Sequence, residues 1–438
     1  MPAFSRQGVK GSYFKELKGV RSQYFCSWKP WQDYLPLTPA EGIPPSNFFY
    51  LLYMMNKKMK KQWWVTLSLW IIACTFLLSA CGGRRYMQAQ LSEEGDTLQM
   101  AYARYLTVVK HEMFTQVTVR NPWDSTRILH TYLLVDKHRV LPEGLPEGTV
   151  VRIPLERMLV YSSVHCSLFG ELQALDAVSG VCDLSYIRMP QIHERVRAGR
   201  VADVGSSMSP DVERVIALHP DGILLSPFEN GSYGRIGQLD VPLIECADYM
   251  ETSPLGRAEW MRFYGMLVGK EQEADSLFSQ VEREYEALRR SVEQVEEKPL
   301  VFAELKQGSA WYVPGGKSTT GQLYADAGAR YVFGYISESG SVPLSFETVY
   351  DRARHADFWL IKYNQSHDKT YAGLEQDYRP YTGFDAFRRK TVYGCNTGRI
   401  PYYEESPFHP EYVLKDLIAV FHPGLFPDYQ PRYFTPLE

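Results

Sequence analysis

From about Gly256 to Glu296 the chain carries one sustained helical pattern, and that pattern constrains the fold more than any other feature. Trp260, Phe263, Leu267, Ala274, Phe278, Val281, Tyr285 and Leu288 recur at steps of three and four residues, which puts them on one helix face. Glu282, Arg283, Glu284, Arg289 and Arg290 crowd the opposite face. Pro299 stops the pattern, and Gly269 is a point where it can bend. An apolar stripe of this length has to be buried along its whole course. The segments on either side must therefore supply the surfaces that cover it.

Both flanks alternate strand and helix. Before the stripe, Met158-Leu159-Val160-Tyr161, Ile223-Leu224-Leu225 and Leu243-Ile244 read as short buried strands. Helices are expected from about Ser163 to Leu175 and over Val212–Leu218, the latter stopped by His219-Pro220-Asp221. After it, Leu300–Ala303, Phe358–Ile361 and Val392-Tyr393 read as strands, with helices at Gly321–Ala327 and Val413–Phe421. Repeated β–α units imply mainly parallel sheets covered by helices. The expected fold class is α/β: two Rossmann-like lobes with parallel sheets, joined by one long rigid helix. Upstream, Phe114–Val119 and Tyr132–Val135 alternate with period two between turns at Asn121-Pro122-Trp123-Asp124 and Pro142-Glu143-Gly144. The expected boundaries are a β-rich N-terminal extension at 84–150, an N-terminal α/β lobe at 151–255, a linking helix at 256–298 and a C-terminal α/β lobe at 299–438. No repeat of solenoid period is present.

Lys57, Lys58, Lys60 and Lys61 precede an uncharged run of 18 residues, Trp63 to Ala80, which ends in Leu78-Ser79-Ala80-Cys81. Basic flank, apolar core and small residues are the parts of an export signal. The cysteine after them resembles a bacterial lipobox, which makes Cys81 the lipidated first residue of the mature chain and 54–80 its signal peptide. The alternative is a retained span, since the run is near the minimum length for one. Either reading puts the remainder on the non-cytoplasmic side. Residues 1–53 show no period and read as an over-extended gene start ahead of Met54, Met55 or Met59.

From Cys81 onward 37 basic residues face 48 acidic ones, a balance that argues against nucleic-acid binding. Cys166, Cys182, Cys246 and Cys395 show no CxxC spacing, so a zinc or iron–sulfur site is not expected. They lie in apolar segments and read as buried free thiols, with Cys166–Cys182 the pair nearest in sequence if one oxidises. The ten histidines are scattered, which disfavours the three or four converging ligands of a bare zinc or manganese site. No nucleophile or paired-carboxylate motif stands out, so an enzyme is not expected.

Three groups of motifs point further. The first is Gly199-Arg200-Val201-Ala202-Asp203-Val204-Gly205, with Ala217-Leu218-His219-Pro220-Asp221-Gly222-Ile223-Leu224 and Val241-Pro242-Leu243-Ile244. The second runs from Tyr249 to Trp260. The third is Trp311-Tyr312-Val313-Pro314-Gly315-Gly316-Lys317-Ser318 with Asp326-Ala327-Gly328-Ala329. In this order, with a lipobox ahead, the chain from about Arg152 is similar to the substrate-binding proteins of ABC importers for iron–siderophore, haem and cobalamin, in the branch found in Bacteroidetes-type bacteria. The resemblance implies a monomeric, periplasmic, lipid-anchored binder with no cofactor of its own. It would capture an iron complex (ferric siderophore or haem), or alternatively cobalamin, and deliver it to an ABC permease and its ATPase. One exposed carboxylate per lobe docks on the permease in that family, and Glu229 and Asp326 hold the matching positions. The reading of another class is a tetrapyrrole metal chelatase, which shares two α/β lobes and uses His with Glu in the cleft.

Ligands of two-lobed α/β proteins sit on loops at the carboxyl ends of strands. That rule selects Ser162 and His165, the loop Pro227–Tyr233 with Glu229 and Tyr233, and Tyr249 with Glu251 in the first lobe. In the second lobe it selects Trp311, Tyr312, Gly315 and Gly316, then Tyr363 and Asn364. Tyr233, Tyr249, Trp311 and Tyr363 offer flat faces with polar edges for a macrocycle or aryl chelate, or pack at a lobe edge. Gly315 and Gly316 allow close backbone approach to a ligand or form a simple turn. His165 is either a metal-coordinating imidazole or a hydrogen-bonded structural residue. Arg257 is either a bidentate carboxylate or phosphate contact or a structural partner of Glu259 or Glu251. Trp260, on the same segment, completes the ligand-binding set.

Overall fold

The computed structural model describes residues 95–438. Residues 1–53, the expected signal at 54–80 and Cys81 lie outside the described residues. No helix among the described residues is long and apolar enough to cross a membrane.

The N-terminal extension is a five-stranded sheet in sequential order: β1 (Asp96–Leu98), β2 (Leu106–Lys110), β3 (Thr115–Arg120), β4 (Ile128–Asp136) and β5 (Thr149–Ile153). Its first four strands are antiparallel, and β5 joins β4 in parallel. Val108, Val117 and Tyr132 meet across the strands and are wholly buried, the inward half of a period-two pattern. Two buried carboxylates fasten the segment between β1 and β2. Glu259 accepts the backbone N–H groups of Ala101, Tyr102 and Ala103 at 2.8–2.9 Å. Glu251 accepts those of Arg104 and Tyr105 at 3.0–3.1 Å and the Trp260 indole N–H at 2.9 Å.

The N-terminal lobe holds β6 (Met158–Val160), β7 (Val178–Val181), β8 (Ala202–Asp203), a small hairpin of β9 (Gly205–Ser206) and β10 (Ser209–Pro210), then β11 (Gly222–Leu225) and β12 (Leu243–Glu245). Its main sheet is parallel, in the order β12-β11-β6-β7-β8. Strands such as Met158-Leu159-Val160 are apolar throughout because helices cover both faces. The strand order reverses between β6 and β11, which opens a crevice there at the carboxyl edge.

The C-terminal lobe contains β13 (Leu300–Ala303), β14 (Lys306–Gln307), β15 (Ala310–Pro314), β16 (Arg330–Tyr331), β17 (Ser341–Leu344), β18 (Phe358–Tyr363), β19 (Val392–Asn396) and β20 (Thr435–Pro436). The main sheet runs β16-β13-β18-β19-β20 with only β20 antiparallel, and β14, β15 and β17 form a second, antiparallel sheet. Between them Phe302, Trp311, Trp359 and Phe384 stack into an aromatic core, with Phe302 and Trp359 ring centres 5.0 Å apart.

The helix expected over 256–298 is three helices: Pro254–Glu259, Met261–Leu267 and Glu271–Ser291. Gly269 does more than bend the run. Its φ of +68° ends the second helix, and Lys270 donates its N–H back to Gly265. The third helix, Glu271–Ser291, carries the chain from one lobe to the other, while the first, Pro254–Glu259, also packs against the C-terminal-lobe helices Thr319–Asp326 and Pro410–Phe421. Ala274, Phe278, Val281 and Tyr285 form its buried stripe. Glu271 and Glu273 in the first turn and Arg289 and Arg290 in the last complement the helix dipole. Its 21 residues span about 31 Å.

The lobes also touch directly. His409, on the C-terminal lobe, bonds Glu171 of the N-terminal lobe at 2.6 Å and Glu411 at 2.7 Å. Glu404 accepts the Arg188 N–H across the same junction at 2.6 Å. The whole is an α/β fold of two lobes with parallel sheets and a strand-rich N-terminal region.

Candidate ligand cleft

The reversal between β6 and β11 creates a cavity of about 640 Å³ inside the N-terminal lobe. Loops leaving the carboxyl ends of three strands build it. Tyr161, Ser162 and Ser163 follow β6, Cys182 and Asp183 follow β7, and Ser226 and Phe228 follow β11. The β9–β10 hairpin and the stretch Ser232–Ile236 close the remaining sides. The walls mix aromatic faces with hydroxyls, a surface suited to a bulky ligand with polar edges.

Charge in this cavity is uneven. Asp183, in the left-handed region at φ +51°, takes both the hydroxyl and the N–H of Ser207, so its lone pairs are engaged by the hairpin. Arg235 has no ion pair or side-chain hydrogen bond among the described residues. Burial pushes the Tyr161 phenol up, so it remains a neutral donor.

A second cavity of about 380 Å³ lies between the lobes. It shares Ser163 and Tyr186 with the first, so the two adjoin across these residues. Arg188 faces it from the N-terminal lobe, and Lys362, Tyr363, Asn364, Thr397 and Tyr403 face it from the C-terminal lobe. Tyr363 ends β18, Asn364 follows it and Thr397 follows β19, again at carboxyl ends. Burial alone would lower the Lys362 pKa, but its pairing with Glu304 more than reverses this, and the ammonium stays charged. Glu304 adopts φ +71°, a conformation costly for a side-chain-bearing residue, directly after β13. Burial raises the Glu404 pKa, and the Arg188 N–H opposes that rise.

Of the residues selected from the sequence, Ser162 and Tyr233 line the first cavity and Tyr363 and Asn364 the second. The others line neither. Trp260 and Trp311 have no exposed surface and belong to the cores. Trp311 donates its indole N–H to Ala303 at 3.0 Å, while its neighbour Tyr312 points to the opposite side of β15 and into solvent. Glu251 is spent on backbone N–H groups. Gly315 and Gly316 are needed for packing inside their own lobe: a Cβ there would sit 2.0 Å from the Glu338 carbonyl and 2.2 Å from that of Gly334. His165 is buried against Tyr264 and Phe408. Asp248 is 3.4 Å from its Nε2, an ion-pair distance at which neither ring nitrogen meets hydrogen-bond geometry. Arg257 pairs with that same Asp248 at 3.1 Å, not with Glu259 or Glu251. Tyr249 gives its hydroxyl to the Pro227 carbonyl. Glu229 is exposed, whereas Asp326 is half-buried and accepts the Tyr285 hydroxyl at 2.6 Å. All four described cysteines are free and buried.

Tyr161, Tyr186, Arg188, Arg235 and Tyr403 escaped the reading of the sequence. Tyr161 directly follows β6 and was within reach of the strand-end rule. Arg188 and Tyr403 lie in segments without period, and only the packing of Tyr402–Glu405 against Ser163–Glu171 brings them to the cleft.

The model of the family described as periplasmic binding protein matches residues 164–397, more than half of the chain. The chain is a periplasmic binding protein. A relative of this binding protein is an uncharacterized lipoprotein of Methanocaldococcus jannaschii, 24% identical over 369 residues that cover 78% of this chain and 86% of the relative. Among solved structures, a possible iron-binding (periplasmic solute-binding) protein of Staphylococcus epidermidis superposes with a TM-score of 0.50 at 16% identity, covering 61% of this chain and 99% of that one. A periplasmic heme binding protein of Pseudomonas aeruginosa does so with a TM-score of 0.50 at 17% identity, covering 65% and 98%. At these identities the superpositions establish the two-lobed fold. Membership of the family makes the protein a binder rather than an enzyme.

Proposed function

We propose that this periplasmic binding protein captures an intact iron complex between its lobes and hands it to an ABC permease, tethered to the membrane by lipid at Cys81. The observation that carries the reading is the adjoining pair of cavities at the carboxyl edges of both parallel sheets, walled by tyrosines and serines and edged by Arg235, Arg188 and Lys362. No histidine lines either cavity, and no group of His, Cys, Asp and Glu able to hold a metal ion occurs among the described residues. A cargo metal would therefore arrive with its coordination sphere filled by its own chelator, which favours a ferric siderophore. Two structural neighbours, a possible iron-binding protein and a heme binding protein, support the same cargo class. Haem is the second reading, with the exposed wall tyrosine Tyr186 as the iron ligand in place of His165. Exposed Glu229 remains the docking carboxylate on the N-terminal lobe. Asp326 would have to release Tyr285 to serve on the other.

The test is a titration of the purified protein with a ferric trihydroxamate, haemin and cyanocobalamin, read by intrinsic fluorescence and by absorbance. One-to-one quenching by the ferric trihydroxamate supports the proposal. Insertion of metal into a free porphyrin would sink it in favour of a chelatase.

A further inference from the structure

The stretch from Ser226 to Gln238 forms one wall of the larger cavity and has little structure of its own. Asn230 and Gly234 both take positive φ, and the backbone hydrogen bonds from Gly231, Ile236 and Gly237 stay within the stretch. Ile236 roots one end in a small apolar cluster. Two hydroxyls make the side-chain hydrogen bonds that tie the rest to the lobe among the described residues: Tyr249 to the Pro227 carbonyl, and Tyr233 to Glu245 at 2.5 Å.

Glu245 ends β12 and is itself held from the N-terminal sheet. Its second oxygen faces His130 Nδ1 on β4 at 3.1 Å, and His130 Nε2 meets the Thr149 hydroxyl of β5 at 2.8 Å. The imidazole donates to the carboxylate when the threonine hydroxyl donates to Nε2, so the neutral ring satisfies both contacts. Two residues along β4, Tyr132 stacks on His130 with ring centres 4.3 Å apart. Its hydroxyl accepts the Glu245 N–H at 2.7 Å and donates to Leu243 at 3.0 Å. Successive side chains on one face of β4 thus grip the same strand end, whose carboxylate fixes the cavity wall.

We propose that the N-terminal sheet positions the ligand cavity, with His130 as the positioning residue: it orients Glu245 to take the Tyr233 hydroxyl and so sets the Tyr233 wall. The inference rests on the reading of this cavity as the ligand site, but its first test does not require a ligand. Hydrogen–deuterium exchange is followed in the full chain for the wild type, His130→Ala, His130→Asn, Tyr233→Phe and the double variant. Loss of one hydrogen bond is worth about 1 kcal/mol, so His130→Ala is expected to speed exchange across 227–238 about fivefold, with β2 and β3 unchanged. His130→Asn, which keeps a donor where Nδ1 stood, is expected to restore protection. In the Tyr233→Phe background, His130→Ala is expected to add nothing. Unchanged exchange at 227–238, or equal loss of protection in β2 and β3, overturns the proposal. A second arm measures ferric trihydroxamate dissociation, which His130→Ala should speed and His130→Asn should not. If no variant and no wild type binds that probe, the cargo reading fails while the exchange result still decides the role of His130.

Discussion

At the scale of single residues, buried carboxylates do structural work that their chemistry would also suit for binding. Glu259 has no exposed surface, yet its two oxygens accept three successive backbone N–H groups of the N-terminal segment. Charge-assisted hydrogen bonds of this kind are worth about 1.5–3 kcal/mol each when a partner is lost. Glu259→Gln replaces one acceptor with an amide that points at those donors, and is expected to lower unfolding stability by about 3 kcal/mol. A denaturant midpoint equal to that of the wild type would show that the segment is held by other means. Glu251 follows the same logic, and here the sequence misleads. Its partners Arg104 and Tyr105 lie almost 150 positions upstream, and nothing local marks a glutamate as an acceptor for distant backbone. Trp311 and Tyr312 teach a related lesson. The strand was legible, but its register decides which of two adjacent aromatics meets the core, and a one-residue step turns one face into the other.

At the scale of elements, the strand-and-helix alternation and the apolar stripe were legible because period and burial report on each other. Val212–Leu218 and Gly222–Leu225 stand where the pattern puts them. The stripe was continuous in sequence while the helix is not, because helical spacing persists across a tight turn that keeps all three helices on one core. Gly269 is the residue that makes the break, and a Cβ there meets only Pro154, at 3.4 Å, an ordinary contact. The cost of Gly269→Ala is therefore backbone strain alone, about 1 kcal/mol, with Gly269→Asn costing less because asparagine tolerates the left-handed region better. Thermal melts of the two variants check this, and equal stability of the alanine variant and the wild type would contradict it. The cleft was only half legible for a similar reason. Strand ends announce themselves, whereas Arg188 and Tyr403 reach the cleft through contacts between helices far apart in sequence.

At the scale of the whole molecule, the helix Glu271–Ser291 links the lobes in the chain, and a direct contact centred on His409 adds to it. Burial would lower the His409 pKa, but Glu171 and Glu411 on either side raise it to about 10 from the usual 6.5. A group whose pKa rises on folding stabilises fully below its unfolded value and loses that contribution as pH climbs through its folded value. The lobe contact is therefore expected to hold at neutral pH and below, and to weaken from about pH 6.5 up through pH 10. Melting temperatures at pH 7 and pH 10 should fall less in His409→Gln than in the wild type. An equal fall in both proteins would assign the loss to other groups.

The central claim is that the paired cavities take an iron complex whose metal is already fully coordinated. Titration of the purified protein with a ferric trihydroxamate, set beside the same chelator without iron and beside ferric citrate, tests it most directly. Saturable one-to-one fluorescence quenching by the ferric trihydroxamate, weakened at least about tenfold by Arg235→Ala through loss of a charged contact, is the predicted result. Tight binding of free ferric ion, or no binding of any iron chelate, would contradict it.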